Sequence, residues 1–135
     1  MSHTPSAHAL TASSPVASNA VAIVLDAEKL DVYRVAVEFQ ALASTLVPAE
    51  QRVLGDQLER ASVSVVLNIA EGGGRRSRRD KRHYYAMARG SAAECAAIVD
   101  LLRIRGLAPE LSCRRGRSLI VRIIQMLTKL QASLA

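Results

Sequence analysis

Aromatic side chains are scarce: the 135 residues include one Phe, three Tyr and no Trp. A core must therefore be built from Ala, Leu, Val and Ile, which favours helices, because strands are enriched in aromatic and β-branched residues. Cysteine is nearly absent too. Cys95 and Cys113 are too few and too far apart for a disulfide framework or a clustered zinc site, so a reducing, cytoplasmic setting is expected. No apolar run nears the roughly 20 residues of a spanning helix. Residues 1–25 hold no Asp, Glu, Lys or Arg, and without a basic n-region they are not expected to act as a secretory signal.

What is present bounds the chain further. At 14.5 kDa it fits one ordinary domain. The uncharged leader, rich in Ser, Thr, Ala and Pro, reads as disordered over 1–25, with Val21–Leu25 close enough to dock on a folded body spanning 26–135. Eighteen Lys and Arg against twelve Asp and Glu give a net charge of +6, which favours polyanionic partners. Fifteen of those cations are Arg, the side chain whose planar fork grips phosphate or carboxylate, although a GC-rich genome produces the same bias.

The apolar pattern predicts four helices. Val32, Val35, Phe39, Leu42 and Leu46 form one stripe of a helix over 30–46, which Pro48 ends. Leu54, Leu58, Ala61, Val65 and Ile69 line a second helix over 49–70, stopped by Gly72-Gly73-Gly74. Ser77, with Asp80 three residues on, caps a third helix that runs to about Arg105 before Gly106. That helix carries an apolar stripe of Tyr84, Met87, Ser91, Cys95, Ile98 and Leu102. A second stripe of Ala86, Gly90, Ala93 and Ala97 suggests close packing against a neighbour. Ile120, Ile123, Leu127 and Leu130 line a fourth helix over 112–132. Short connections then make an antiparallel up-down-up-down all-α bundle the simplest arrangement.

The stretch from Gln57 to Gly72, with Asn68-Ile69-Ala70-Glu71-Gly72 at its end, then Arg75-Arg76-Ser77 and Gly90-Ser91-Ala92-Ala93-Glu94, resembles the four-helix-bundle family first noticed within intervening sequences of bacterial large-subunit rRNA genes. Leu30-Asp31-Val32-Tyr33 fits it as well, and the match covers about residues 29–132. The resemblance implies a four-helix protomer in a ring-shaped homopentamer. It also implies kinship with the accessory protein of diversity-generating retroelements, which binds nucleic acid and a reverse transcriptase. Gly74, the dense arginines after it and the leader depart from the family pattern.

Six cations and one anion crowd into Arg75-Arg76-Ser77-Arg78-Arg79-Asp80-Lys81-Arg82. Phosphate would relieve that repulsion, and a helix N-terminus at Ser77 adds amides and a positive dipole end. Arg78, Arg82, Tyr85 and Arg89 extend the cluster along one face, where Tyr85 is expected to stack on an unpaired base. Arg75, Arg76, Arg78, Arg79, Lys81, Arg82, Tyr85 and Arg89 are thus the candidate nucleic-acid contacts; the alternative is a solvated cap partly paired with Glu71 and Asp80. Arg103, Arg105, Arg114, Arg115 and Arg117 form a second group at the opposite end, and five copies in a ring would turn each group into a crown of charge.

Enzymatic chemistry finds little support. Asp80 and His83 give a single Asp-x-x-His, short of the paired Glu-x-x-His motifs of a di-iron bundle, and the glycine triplet lacks the Lys-Ser/Thr ending of a P-loop. Asn68, Glu71, Gly72, Gly90, Ser91 and Glu94 carry the resemblance and are assigned structural or inter-subunit roles. Cys95 is expected in the core and Cys113 at the surface, beside Arg114 and Arg115. No metal or cofactor is expected. The reading is a non-enzymatic, self-associating protein that binds RNA or DNA without strong sequence preference. The rival is an adaptor whose arginines meet an acidic protein such as a reverse transcriptase.

Overall fold

A computed structural model describes residues 26–135, apart from the side chains of Glu28 and Lys29; the leader and its docking segment lie outside the described residues. A short 3-10 turn, Asp26–Lys29, precedes α1 (Asp31–Leu46), α2 (Arg52–Gly74), α3 (Arg78–Ile104) and α4 (Glu110–Ser133). Each helix packs on its two sequence or chain-end neighbours, α1 on α2 and α4, α3 on α2 and α4, while the backbones of diagonal helices stay further apart. Side-chain links show the directions. As numbering climbs along α3 from Arg82 to Arg89 to Asp100, the partners on α4 fall from Leu134 to Thr128 to Arg117. The bundle is antiparallel, as its short connections require.

Three helix ends follow the expected chemistry. Ser77 Oγ accepts the Asp80 amide at 3.0 Å, which satisfies one of the orphan donors of α3. At its other end Gly106 adopts φ 67°, and the Leu107 amide reaches back to the Leu102 carbonyl at 2.8 Å, the wrap-around geometry that favours glycine. Val47, preceding Pro48, is extended, as the proline ring demands of its neighbour.

Other boundaries move. Helix α2 begins at Arg52 rather than near Ala49, because Pro48–Gln51 forms its own turn, with the Gln51 amide on the Pro48 carbonyl at 2.9 Å. The glycine triplet does not stop α2; all three glycines are helical, and the chain turns only at Arg75. Contacts outside α2 explain two of them. A Cβ on Gly72 would lie 2.7 Å from Tyr85 Cε1, and one on Gly73 would lie 3.0 Å from Ala27 Cα in the 3-10 turn. Gly74 meets nothing. Helix α4 starts at Glu110, with Pro109 as its cap, two residues before Ser112.

The core is aliphatic. Val32, Val35, Phe39 and Leu46 of α1, Leu58, Ala61, Val65 and Ile69 of α2, and Ile120, Ile123 and Leu127 of α4 are buried as their spacing predicts. Helix α3 is rotated from its expected phase. Tyr85, Ala88, Ala92 and Val99 join Cys95, Ile98 and Leu102 inside, while Met87 is exposed. Ala86, Gly90, Ala93 and Ala97 all face outward, so the small-residue stripe packs against no other helix of the protomer. No helix among the described residues is long and apolar enough to cross a membrane.

Candidate functional site

The arginine-dense segment wraps the α2–α3 junction, at the end of the bundle where α4 also finishes. Arg75 donates to Glu71 Oε2 from Nε at 3.0 Å and from Nη2 at 2.6 Å. Its Nη2 also donates to the Tyr84 hydroxyl at 3.0 Å, and the guanidinium lies 4.9 Å from the Tyr84 ring centroid. The Glu71 hydrogen bond and the Tyr84 hydroxyl raise the Arg75 pKa above its ordinary value. Arg75 is therefore a clip that fastens the end of α2 to α3.

Cations in the first turn of a helix oppose its dipole, so their presence on α3 needs a cause. The antiparallel arrangement supplies one, because α2 and α4 bring their C-terminal carbonyls to the same place. Lys81 Nζ donates to the Gly72 and Gly73 carbonyls, each at 3.2 Å, closing the end of α2. Arg82 Nη1 donates to the Leu134 carbonyl at 2.8 Å, and Arg78 Nη1 reaches the Ser133 carbonyl at 3.5 Å, closing the end of α4. Arg89 Nη1 donates to Thr128 Oγ1 at 3.3 Å further along the α3–α4 seam.

Two cations remain. Arg76 and Arg79 are exposed and make no hydrogen bond or ion pair with any described residue. Tyr85 corrects the sequence reading. It is 2% exposed, its ring sits over Gly72, and burial raises its pKa, so it is a core residue with no face for a base. The aromatic beside the cations is instead Tyr84, already covered by Arg75.

Five of the six residues that carry the family resemblance belong to contacts along the α2–α3 seam or at its cationic end. Asn68 Nδ2 donates to the Ser64 carbonyl at 2.9 Å and to Ser64 Oγ at 3.0 Å, and Ser64 Oγ lies 2.9 Å from Ser91 Oγ. One turn toward the opposite end, Arg60 Nη2 donates to Glu94 Oε2 at 3.3 Å. Toward the cationic end, Glu71 holds Arg75, and Gly72 makes room for Tyr85. Only Gly90 stands apart: it is exposed, and a Cβ there would meet nothing within 4 Å. From sequence the partners Ser64 and Arg60 are given no role, and Tyr84 is expected only as part of an apolar stripe. Ser64 and Asn68 sit four apart on one helix, a readable signal, whereas nothing in the sequence joins Arg75 to Tyr84.

The second arginine group is mostly neutralised within the chain. Arg114 pairs with Glu110 at 3.5 Å, Arg115 with Glu38 at 2.6 Å and Arg117 with Asp100 at 3.1 Å. Arg103 and Arg105 stay exposed without an ion pair. Cys113 is buried, contrary to the surface thiol expected. Desolvation raises its pKa, helped by Glu110 and opposed by Arg103. Cys95 is buried as expected, and desolvation, aided by Glu94, pushes its pKa up to about 12.

These features define a class: a basic antiparallel four-helix bundle with a polar seam between its second and third helices and uncompensated arginines where those helices meet. The chain belongs to the 23S rRNA-intervening sequence protein family, whose model matches residues 28–129. It is similar to the solved structure of a protein of unknown function of the S23 ribosomal protein family from Bacteroides thetaiotaomicron, with a TM-score of 0.68, 23% identity, and coverage of 75% of this chain and 95% of that one. At that identity the likeness concerns the fold. No curated protein matches.

Proposed function

We propose that this protein is a non-enzymatic, self-associating scaffold that binds RNA or DNA through the α2–α3 end, with little sequence preference. The observation that carries the reading is the pair Arg76 and Arg79, exposed and unmatched beside the amino end of α3. Two guanidinium groups next to the positive end of a helix suit phosphate oxygens, and phosphate contacts carry no sequence information. Gly90 and its small neighbours support self-association. A helix-interior glycine costs roughly 0.5–1 kcal/mol relative to Ala, and nothing inside the protomer requires it at this position. An approaching second copy, as in the homopentamer implied by family resemblance, is a sufficient reason.

Fluorescence anisotropy with labelled RNA and DNA tests the binding. Affinity is expected at low salt, to fall steeply as salt rises, and to drop about tenfold in Arg76→Ala/Arg79→Ala. Absence of binding at low salt discards the reading. Light scattering tests assembly, where a 14.5 kDa species at every concentration removes the scaffold.

A second reading rests on the opposite end. Val53, Ile104 and Leu111 are 71, 73 and 76% exposed at helix termini near the unpaired Arg103 and Arg105. Exposed aliphatic groups beside cations suit an acidic, partly apolar protein, such as a polymerase or reverse transcriptase. Recovery of one defined protein after nuclease treatment, lost in Ile104→Asp, supports this adaptor role over the first.

A further inference from the structure

Resting on the nucleic-acid reading, the placement of the rings narrows which form of nucleic acid the site takes. Proteins that hold unpaired strands lay successive bases on aromatic rings, each stack contributing about 1–3 kcal/mol. All four Phe and Tyr residues of the chain are within the described part, and none is exposed. Phe39 and Tyr85 are buried, and Tyr33 packs half-buried against the core. Tyr84 is half-buried, with Arg75 on its face, and its hydroxyl accepts a hydrogen bond from that same arginine. Tyr85 is further pinned because it fills the space a Cβ at residue 72 would take. Among the described residues His83 is the exposed ring nearby, set edge-to-face against Tyr84 with centroids 5.2 Å apart.

What the site does offer is charge held in place. Lys81 and Arg82 are anchored on the ends of α2 and α4, Arg75 is clamped by Glu71 and Tyr84, and Arg76 and Arg79 are exposed in the same segment. A backbone carbonyl orients a cation without neutralising it, so the anchored side chains still contribute their charge. Such an array is matched best by closely spaced phosphates on a stiff frame. A duplex provides them at one charge per about 1.7 Å of axis, and a flexible single strand at lower density. We infer that the α2–α3 end holds double-helical nucleic acid by its phosphate backbone and disfavours unpaired strands.

The full chain is titrated at low salt against fluorescein-labelled DNA and RNA duplexes of about 20 base pairs, each constituent strand, and oligo(A) and oligo(U) of equal length. The duplexes are expected to bind at least about fivefold more tightly than their strands, because no stacking gain offsets the lower charge density. Oligo(A) and oligo(U) are expected to match within about twofold, and His83→Ala to leave every affinity unchanged. Equal binding of the two duplexes indicates phosphates alone, and an excess for RNA adds contacts to its 2′-hydroxyls; both outcomes support the inference. Strands that bind as tightly as duplexes, a clear preference for oligo(A), or a loss in His83→Ala overturn it while leaving nucleic-acid binding intact. If neither form binds, the proposed function itself fails.

Discussion

The two ends of the bundle each gather a run of arginines and dispose of their charge differently. Where α2 meets α3, Lys81, Arg82 and Arg78 are held by carbonyls that end α2 and α4. Where α3 meets α4, Arg114, Arg115 and Arg117 are held by the carboxylates of Glu110, Glu38 and Asp100. A carboxylate cancels a charge, whereas a carbonyl only orients it. Within the two clusters themselves, the six cations of residues 75–82 have Glu71 and Asp80 beside them, a net of four, while the five arginines of the second group have three paired carboxylates, a net of two; Asp26 and Asp31, at the start of the chain's folded part, lie outside the first count. Helix dipoles do not alter this balance, since each end of an antiparallel bundle collects two positive and two negative termini. Free charge at each end thus depends on the chemistry of the acceptors as well as on the density of arginine.

The largest expected effect concerns what holds the first end together. Gly72→Ala pushes a methyl into the Tyr85 ring at 2.7 Å, and a loss of roughly 1–3 kcal/mol is expected from chemical denaturation. Gly74→Ala, two residues on and in open space, should be neutral or gain about 0.5 kcal/mol. Next is the binding contrast. Arg76→Ala/Arg79→Ala should weaken duplex binding about tenfold, and Arg103→Ala/Arg105→Ala by no more than about threefold. Equal losses would mean that the two ends are equivalent toward phosphate. Neither double variant should change stability by more than about 0.5 kcal/mol, because none of these four side chains is paired.

Smaller effects separate orienting from neutralising. Lys81→Met keeps the aliphatic stem and loses both carbonyl contacts, so a decrease of about 1 kcal/mol in unfolding free energy is expected. At the other end Glu38→Gln breaks the exposed pair with Arg115, and a change below about 0.5 kcal/mol is expected, shrinking further as salt rises. Should Glu38→Gln cost more than Lys81→Met, the carboxylate-held end is the one that organises the bundle.

Much of this architecture was legible. The 3-4 spacing on α1, α2 and α4 identified their buried faces, and Ser77 and Gly106 marked both ends of α3. The phase of α3 was misjudged because alanine and glycine dominate its middle and give little contrast between faces; the stripe through Tyr84 and the stripe through Tyr85 read almost alike. The glycine triplet looked like a stop because its neighbours across space are invisible in a linear reading. Of the candidate contacts, Arg76 and Arg79 stand free, whereas Tyr85 turned inward, a consequence of its seat over Gly72.

Composition and periodicity alone determined that this chain builds four amphipathic helices around an aliphatic core, because burying such stripes requires only helical spacing and short connections. The tertiary structure decided which polar groups are already matched. Glu71 with Arg75 is a local pair four residues apart, but Lys81 with Gly72, Arg82 with Leu134 and Arg115 with Glu38 join separate elements. Such pairings depend on register and direction, and those are properties of packed helices rather than of any one segment.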